Sequence, residues 1–498
     1  MIEFDRRILK MKKITVFLLL AALLTQLAAC GNSDNVPTDT TDPAAVETEP
    51  SETRTPHTVP EGTTFDGASF RAGFFGSAAW PDQYFADELT GDNMNDSVYR
   101  REKKVEKELD VKISYNEDYD VTYEEYTNLF KASDDVYQLL FLHRISHVAD
   151  LVTNGYLYDS TDLPYVDFSN PWYNGEQIEA LRMGDQIHYI VSDLVITDPA
   201  CIFFNRNMVE DNNLEDPYKL VNEGTWTLDK MIQMCIDVRN DVNGDGSYLS
   251  EDDVFGAELV ESFAFLTGCD LMLTELNPDT NKHELIINNE TTYDVLDKLY
   301  RLYENPGSVS TQPETLQPIA KYSDGSTLFQ TFQTTYMENV VSIMGFDSGV
   351  IPFPKYDEEQ ENYRSLNCNG LMTISGCIKD PEMVGAVLEL LSWESGNEVV
   401  DTYYNKLLKT RYSADLETRA MLELIFDTVT YDPCNNYFGF MDGFCGILYM
   451  PTDSILYGAQ HHASAMRTQR SYCISTLAKF YDALDKLESA AETTETAE

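Results

Sequence analysis

Between residues 69 and 142 the sequence alternates strand-like and helical patterns, and this order constrains the fold more than any other feature. Patterns typical of short strands occupy 69–76, 111–115 and 136–142. Amphipathic helical periodicity fills the two intervals, at 96–109 and 124–132. Because strands separated by helices return in the same direction, this segment predicts an α/β fold built on a parallel sheet.

The length of the chain predicts more than one core. It has 498 residues, 43% of them hydrophobic and 12% aromatic, as expected of a globular protein. Without its polar N-terminal segments the body has about 430 residues, which exceeds what a single core usually supports. We therefore expect two lobes.

Residues 1–29 have the pattern of a secretory signal peptide. Met11, Lys12 and Lys13 precede an apolar run at 14–24 that is short for a membrane span, and small residues lead into Cys30. This ending resembles a bacterial lipobox. The resemblance implies cleavage before Cys30 and attachment of a lipid to its thiol, which would hold the protein on the extracellular face of the cell membrane.

Residues 30–62 contain few large apolar side chains and many Asp, Glu, Thr, Ser and Pro residues. Such a segment buries too little surface to offset its ordering entropy, so we expect a flexible linker ahead of a body at 63–490. The last residues, 491–498, are expected to be a disordered tail.

The formal net charge of −49 argues against polyanionic partners. Nucleic acid and anionic lipid would be repelled, so neither is expected to bind the body. Eight cysteines remain once Cys30 is assigned to lipid. Their spacing matches no zinc signature, and we favour free buried thiols over disulfides, of which Cys368 to Cys377 and Cys434 to Cys445 are the closest pairs.

Further along the chain, strands and helices continue to alternate before a mainly helical last third. Thr227 is expected to cap a helix. Two prolines should end a strand at 349–354. Strands are also predicted at 187–197, 201–205 and 371–375, and helices at 292–303 and 381–393.

Several stretches, in order along the body, resemble the extracellular solute-binding proteins of ABC transporters, the type II periplasmic-binding-protein family that includes maltose-binding protein. The matching stretches are 95–106, 155–172, 203–205, 224–227, 349–357 and 403–426. The resemblance implies a two-lobed α/β fold with a hinge and an interlobe cleft. It also implies that the protein is a monomer that captures a small ligand, here expected to be a carbohydrate, and delivers it to ABC permease subunits.

By the same resemblance each lobe is discontinuous in sequence. Lobe one is expected at about 64–196 plus 345–400, and lobe two at about 200–340 plus 401–490. The two lobes would close on ligand by a hinge motion. In open α/β sheets, loops after the carboxyl ends of strands face the crevice, and this rule selects candidate ligand-binding residues.

Aromatic candidates come first, because a ring can stack on the apolar face of a sugar. Trp80 follows the first predicted strand. Trp172 and Tyr173 form an aromatic pair before the strand expected to cross between lobes, where packing at the hinge is an equally good interpretation. Trp226 and Trp393 are assigned to packing.

Polar candidates could hydrogen-bond sugar hydroxyl groups. His143 and Arg144 follow the third strand and could donate, whereas Asp193 on the crossing strand could accept. Asn369 precedes the strand at 371–375. For these residues, surface or structural pairing remains the alternative.

A separate motif has the spacing of an EF-hand calcium loop. Oxygen-bearing side chains occupy its positions 1, 3, 5 and 12, and Gly246 occupies position 6, where a sharp turn is needed. Leu249 at position 9 cannot bind metal, so water would. A structural calcium ion is the expected occupant, with a plain acidic turn as the alternative; the ligands would be Asp241, Asn243, Asp245, Ser247 and Asp252.

No catalytic motif is present, since the sequence has no Gly-x-Ser-x-Gly, His-Glu-x-x-His or phosphate-loop pattern. A binding protein is therefore expected rather than an enzyme. Two alternatives are a ligand sensor or adhesive lipoprotein that works without a transporter, and a secreted glycosidase, which would need two carboxylates across a sugar.

Overall fold

The structure is a computed structural model that describes residues 54–75, 84–116, 123–142, 148–248, 252–259, 263–286, 290–309, 320–337, 345–368, 371–405, 415–438 and 462–495. The chain divides into a segment at 1–56 and a body at 57–498. In the body, Thr58 and Val59 already belong to the packed structure: the backbone N of Thr58 donates to Glu389, and Val59 is buried. The end of the linker expected at 30–62 is thus part of the body.

Strands and helices alternate through most of the body. The strands are β1 Ala68–Phe75, β2 Val111–Tyr115, β3 Leu139–Leu142, β4 Ala200–Asn205, β5 Phe255–Glu258, β6 Thr274–Asn277, β7 Lys282–Leu285, β8 Thr327–Gln333, β9 Ser348–Ile351, β10 Ser365–Leu366, β11 Leu371–Ile374 and β12 Val429–Thr430. The helices are α1 Asn93–Leu109, α2 Tyr123–Lys131, α3 Val148–Thr153, α4 Gly175–Ala180, α5 Arg206–Asp211, α6 Pro217–Asn222, α7 Leu228–Val238, α8 Ala264–Gly268, α9 Glu290–Glu304, α10 Ala320–Ser323, α11 Pro381–Asn405, α12 Leu416–Asp427, α13 Pro433–Phe438 and α14 His462–Glu495.

Side-chain caps define where the main helices begin. The Asp92 carboxylate accepts from the backbone N–H groups of Met94 and Asn95 at the start of α1, satisfying two donors that the helix leaves open. Helix α1 ends at Asp110, which adopts a left-handed conformation at φ 48°. Thr227 caps α7 through its hydroxyl, as predicted from the sequence.

The first sheet has the strand order β11, β3, β1, β2. Strand β1 pairs in parallel with both β2 and β3, which confirms the parallel sheet predicted for residues 69–142. Strand β11 joins the edge antiparallel to β3. The interior is aromatic: the rings of Phe74 and Phe141 stack at 4.5 Å between centroids.

The second sheet has the order β5, β8, β4, β9 and is mixed. Strand β5 is parallel to β8, while β4 is antiparallel to both β8 and β9. Since β9 lies here and β11 in the first sheet, the segment 345–400, expected in lobe one, is divided between the two sheets. The predicted strand at 349–354 ends at Ile351, just before Pro352.

The predicted strand at 187–197 is wrong. This part of the chain makes only isolated bridges, from Ile190 to Met372 and from Ser192 to Tyr173. Ser192 uses its hydroxyl in a local hydrogen bond from the backbone N–H of Leu194, so the chain turns instead of extending into a ladder.

The body has the two-lobed α/β architecture, with one four-stranded sheet at the centre of each lobe. Among the described residues, no helix combines the length and apolar character needed to cross a membrane.

Candidate functional site

Three segments that contain predicted ligand residues are attached at the same end of neighbouring strands in the first sheet. Phe75, the last residue of β1, pairs with Leu142, the last residue of β3, and Leu142 pairs with Leu371, the first residue of β11. The segments next to these three residues carry Trp80, His143, Arg144 and Asn369, which lie outside the described residues. The strand register therefore places the starting points of these segments next to one another. Loops that line one crevice must start close together in this way.

Asp198 lies on the connection that enters β4, and it joins this connection to the end of β8 and to the connection that leads to β11. Its carboxylate accepts from the hydroxyl groups of Thr334 and Thr335, at 3.0 and 2.7 Å, where β8 ends. Its backbone N donates to the side-chain oxygen of Asn367, on the connection that returns to β11. Asp198 is buried, and it ties both connections to the end of β8.

A pocket of about 340 Å³ lies beside the connection that enters β4, which we call the first connection and which contributes residues between 171 and 197. Its other walls are the carboxyl-terminal part of α11 and the end of α12. Its size is within the range of small-molecule sites. Residues 396, 400 and 403 are spaced at helical intervals, so one face of α11 is turned to this region. The pocket is lined by Pro171, Tyr173, Asn174, Gly175, Ser192, Asp193, Val195, Ile196, Thr197, Val400, Tyr403, Phe426 and Val429.

The predicted acceptor Asp193 lines this pocket, and the surrounding backbone fixes its position. Its backbone N donates to the carbonyl oxygen of Trp172 at 2.9 Å. Its carboxylate lies against Gly396 of α11, so closely that a Cβ atom at residue 396 would be 2.5 Å from Oδ2. The glycine at this helical position leaves space for the carboxylate.

The predicted aromatic pair has a structural role in this conformation. Trp172 and Tyr173 are 5% and 6% exposed, and both donate to Oε2 of Glu389, at 3.1 and 2.8 Å. The indole of Trp172 thus contributes to packing, the interpretation that the sequence left open beside ligand contact. Tyr173 additionally borders the pocket.

Glu389 is the residue that sequence reasoning missed. It is fully buried in α11, and its Oε1 accepts from the backbone N and the hydroxyl group of Thr58, at 3.1 and 2.8 Å. With the two donors from Trp172 and Tyr173, four hydrogen bonds satisfy the carboxylate, which is what burial of such a group requires. Burial and the nearby Glu389 raise the pKa of Tyr173, so its phenol remains a donor.

The far wall of the pocket is aromatic. The rings of Tyr403 on α11 and Phe426 on α12 meet at 90°, with 6.3 Å between centroids. Tyr403 also packs against a small buried cluster that includes Ile196 and Val399. Neither ring was singled out from the sequence, because only the fold brings the ends of α11 and α12 together.

The predicted calcium loop forms a compact turn. Asp241 accepts from the backbone N–H groups of Gly244 and Gly246, both at 2.7 Å, and Gly246 has the positive φ, 82°, that the turn requires. Asp245 accepts from Ser247. No group of three or more His, Cys, Asp or Glu side chains suited to a metal ion occurs among the described residues, and 249–251 of the loop are outside them.

Cysteines described by the structure are free thiols. The closest pair in sequence whose side chains are both described, Cys368 and Cys377, is not bridged. Burial raises the pKa of the thiols of Cys201, Cys235 and Cys269, which leaves them protonated and poorly reactive. The pair Cys434 and Cys445 lies outside the described side chains.

Of the two tryptophans assigned to packing, Trp226 lies in the interior of the body and Trp393 is half-buried against the core. Trp226 is fully buried in the second lobe, where its indole N–H donates to the carbonyl of Pro352 at 3.0 Å. The ring of Trp393 meets that of His57 edge-on at 4.9 Å.

The comparisons with known proteins rest on structure, because no protein-family model matches the sequence and a search of curated proteins finds no match. An ABC substrate-binding protein from Listeria monocytogenes, solved with cycloalternan, is similar with a TM-score of 0.56 at 13% identity. The match covers 83% of this chain and 100% of that one.

Two further solved structures are similar over comparable lengths. The maltose-binding periplasmic protein of Listeria monocytogenes, in complex with maltose, gives a TM-score of 0.55 at 12% identity and covers 83% of this chain and 99% of its own. The GacH receptor of Streptomyces glaucescens, solved unliganded and with acarbose, gives 0.53 at 14%, with 81% and 97% covered. The chain therefore has the two-lobed fold of these periplasmic sugar-binding proteins.

Proposed function

We propose that this protein is an extracellular solute-binding protein that captures a carbohydrate and delivers it to an ABC permease. The observation that supports this most strongly is the extent of the structural likeness. Three solved sugar-binding proteins match over 97% or more of their own lengths, so both lobes and the connections between them have counterparts here.

The described site has the chemistry that a carbohydrate needs. A sugar presents hydroxyl groups at its rim and C–H groups on its faces, so it is bound by carboxylates together with aromatic rings. The pocket combines the carboxylate of Asp193 with the rings of Tyr403 and Phe426.

Thermal-shift assays of the body, residues 54–498, against mono- and oligosaccharides, amino acids, peptides and polyamines test this function. A ligand at 100 times its dissociation constant stabilises the folded state by about 2.7 kcal/mol, which gives a clear shift. Stabilisation by a carbohydrate supports the proposal. Stabilisation by peptides or polyamines alone contradicts the carbohydrate assignment, and release of sugar from an oligosaccharide during incubation would favour a glycosidase.

Membrane attachment through Cys30 is a separate part of the proposal. It is supported by the apolar run and small residues that precede this cysteine. Metabolic labelling with palmitate in a bacterial host should give a labelled, membrane-bound protein. The matched variant Cys30→Ala should remain unlabelled and leave the membrane fraction, and equal labelling of the variant would contradict the assignment.

Calcium binding by the loop at 241–252 is also proposed, with a structural role. It is supported by the ligand spacing and by the hydrogen bond from Gly246 to Asp241 that shapes the turn. Calcium should raise the unfolding midpoint of the wild-type protein, whereas Asp241→Ala should abolish the increase. An equal increase in both proteins would contradict binding at this loop.

A further inference from the structure

The phenol of Tyr126, on α2, is a buried polar group that the fold does not use. Tyr126 is 2% exposed, and within the part of the chain that the structure describes its Oη has no hydrogen-bond partner. Leaving a buried hydroxyl group without a partner costs free energy, so each such case in a folded protein needs an explanation. Phenylalanine would fill the same space without this cost.

Two other buried tyrosines show the usual arrangement. Tyr189 donates to the carbonyl oxygen of Asn436, and Tyr437 donates to that of Leu181, both at 2.9 Å. Their hydroxyl groups contribute to the folded structure, whereas that of Tyr126 does not. A partner that arrives only on binding explains why a tyrosine occupies this position.

Aromatic neighbours hold Tyr126 at the end of β1. Its ring stacks on that of Phe75, the last residue of the strand, with 4.4 Å between centroids, and it meets the ring of Phe130 at 4.9 Å. Phe75 pairs with Leu142, the last residue of β3. Tyr126 therefore lies at the carboxyl ends of two parallel strands, which is where α/β sheets bind ligands.

Tyr123, one turn earlier in α2, connects this position to the surface. It is 37% exposed, and its ring centroid is 6.3 Å from that of Tyr126. Residues three apart lie on the same face of a helix. The ring of Tyr126 is thus one side chain away from solvent.

We infer that Tyr126 is a ligand-binding residue whose phenol donates a hydrogen bond to a hydroxyl oxygen of the bound sugar. This inference rests on the proposed carbohydrate function and adds a contact that the sequence did not indicate. Burial raises the pKa of Tyr126 well above its ordinary value, so the phenol keeps the proton that it donates. Since Tyr126 does not line the pocket beside the first connection, the contact belongs to the crevice at the first sheet.

Replacing Tyr126 by phenylalanine separates binding from folding. The hydroxyl group has no partner to lose in the free protein, so the thermal unfolding midpoint should hold or rise. Isothermal titration calorimetry with maltose, maltotetraose and raffinose measures binding. A sugar that the wild-type protein binds should be bound about fivefold more weakly by Tyr126→Phe, the effect of one hydrogen bond.

Tyr218→Phe is the matched control. Tyr218 is fully buried in the second lobe, and its hydroxyl group shares a hydrogen bond of 2.6 Å with that of Thr418. Loss of this bond should lower the unfolding midpoint and leave sugar affinity unchanged, the opposite of what is expected at Tyr126.

Monodeoxy analogues of the sugar that binds identify the contact. One analogue should bind the wild-type protein and Tyr126→Phe equally, because it lacks the hydroxyl group that the phenol contacts. A difference between the two proteins that persists with every analogue would overturn donation to a sugar hydroxyl group.

The outcomes separate this inference from the function on which it rests. Sugar binding that Tyr126→Phe leaves unchanged would overturn the contact and keep the carbohydrate function. A lower unfolding midpoint with unchanged affinity would assign Tyr126 to packing and overturn it as well. Failure of the wild-type protein to bind any carbohydrate would overturn both.

Discussion

A buried carboxylate in the middle of α11 shows how single residues organise the region around the pocket. Glu389 joins the beginning of the body, at Thr58, to Trp172 and Tyr173 near the connection between lobes. Apolar residues surround it in sequence, from Met383 to Leu391. A single charged residue within an apolar run was the feature of the sequence that could have identified Glu389, because a buried carboxylate must have hydrogen-bond partners.

Replacing Glu389 by alanine should destabilise the body, since donors from Thr58, Trp172 and Tyr173 would be left buried without an acceptor. The expected loss is about 3 kcal/mol in the free energy of unfolding. Urea unfolding monitored by fluorescence measures it. The control is Glu382→Ala, an exposed glutamate of the same helix. Equal midpoints for the two variants would contradict the role given to Glu389.

The pair formed by Arg101 and Glu102 predicts a pH dependence of stability. Burial raises the pKa of Glu102 to about 7, although the adjacent Arg101 opposes this shift. In the unfolded chain the pKa is near 4.3. Between about pH 4.5 and 7 the native state thus binds more protons, and the stability contributed by this group falls as pH rises.

Urea unfolding of the wild-type protein and of Glu102→Gln, at intervals from pH 4.5 to 8, isolates this effect. Because glutamine does not titrate, other groups cancel in the comparison. The wild-type protein should lose stability relative to the variant as pH rises through this range. A constant difference would show that Glu102 has an ordinary pKa.

Helix α11 packs against α1 and lines the pocket with its carboxyl-terminal part. The sequence predicted it at 381–393, but it continues to Asn405. The extension was missed because its apolar face gives way to Ser395, Gly396 and Asn397, which have low helix propensities. Packing against α1 and the first connection stabilises those turns, and they carry the face that reaches the pocket.

Gly385 allows α11 to approach the chain at Leu163 and Pro164. A Cβ atom at this residue would be 1.9 Å from the carbonyl oxygen of Pro164, which is backbone and cannot move aside easily. Gly385→Ala should therefore lower the thermal unfolding midpoint despite the higher helix propensity of alanine. The exposed Asn397→Ala in the same helix should not. A midpoint for Gly385→Ala at or above that of the wild type would contradict this packing.

At the scale of the whole molecule, local patterns predicted the elements better than their assembly. Strands β1 to β3 were found because each is a short strand-like pattern and helical patterns separate them, and their parallel pairing follows from chain order. The placement of β9 in the second sheet depends on pairing with β4, about 145 residues earlier, and no local pattern reports such a pairing. The pocket was missed for the same reason.

Asp193 illustrates what was predictable about the site. Its place on the connection between lobes followed from the resemblance to binding proteins, and the structure does place it beside a pocket. Its packing against Gly396 involves two residues far apart in sequence. The four candidates Trp80, His143, Arg144 and Asn369 remain predictions, supported by the register of the strands that flank them.

Capture of a carbohydrate between two lobes is tested most directly by small-angle X-ray scattering of residues 54–498, titrated with neutral mono- and oligosaccharides. Closure on ligand makes a two-lobed protein more compact. The radius of gyration should fall in proportion to the bound fraction with at least one sugar. A radius of gyration that stays constant with every carbohydrate at millimolar concentration would contradict capture by closure.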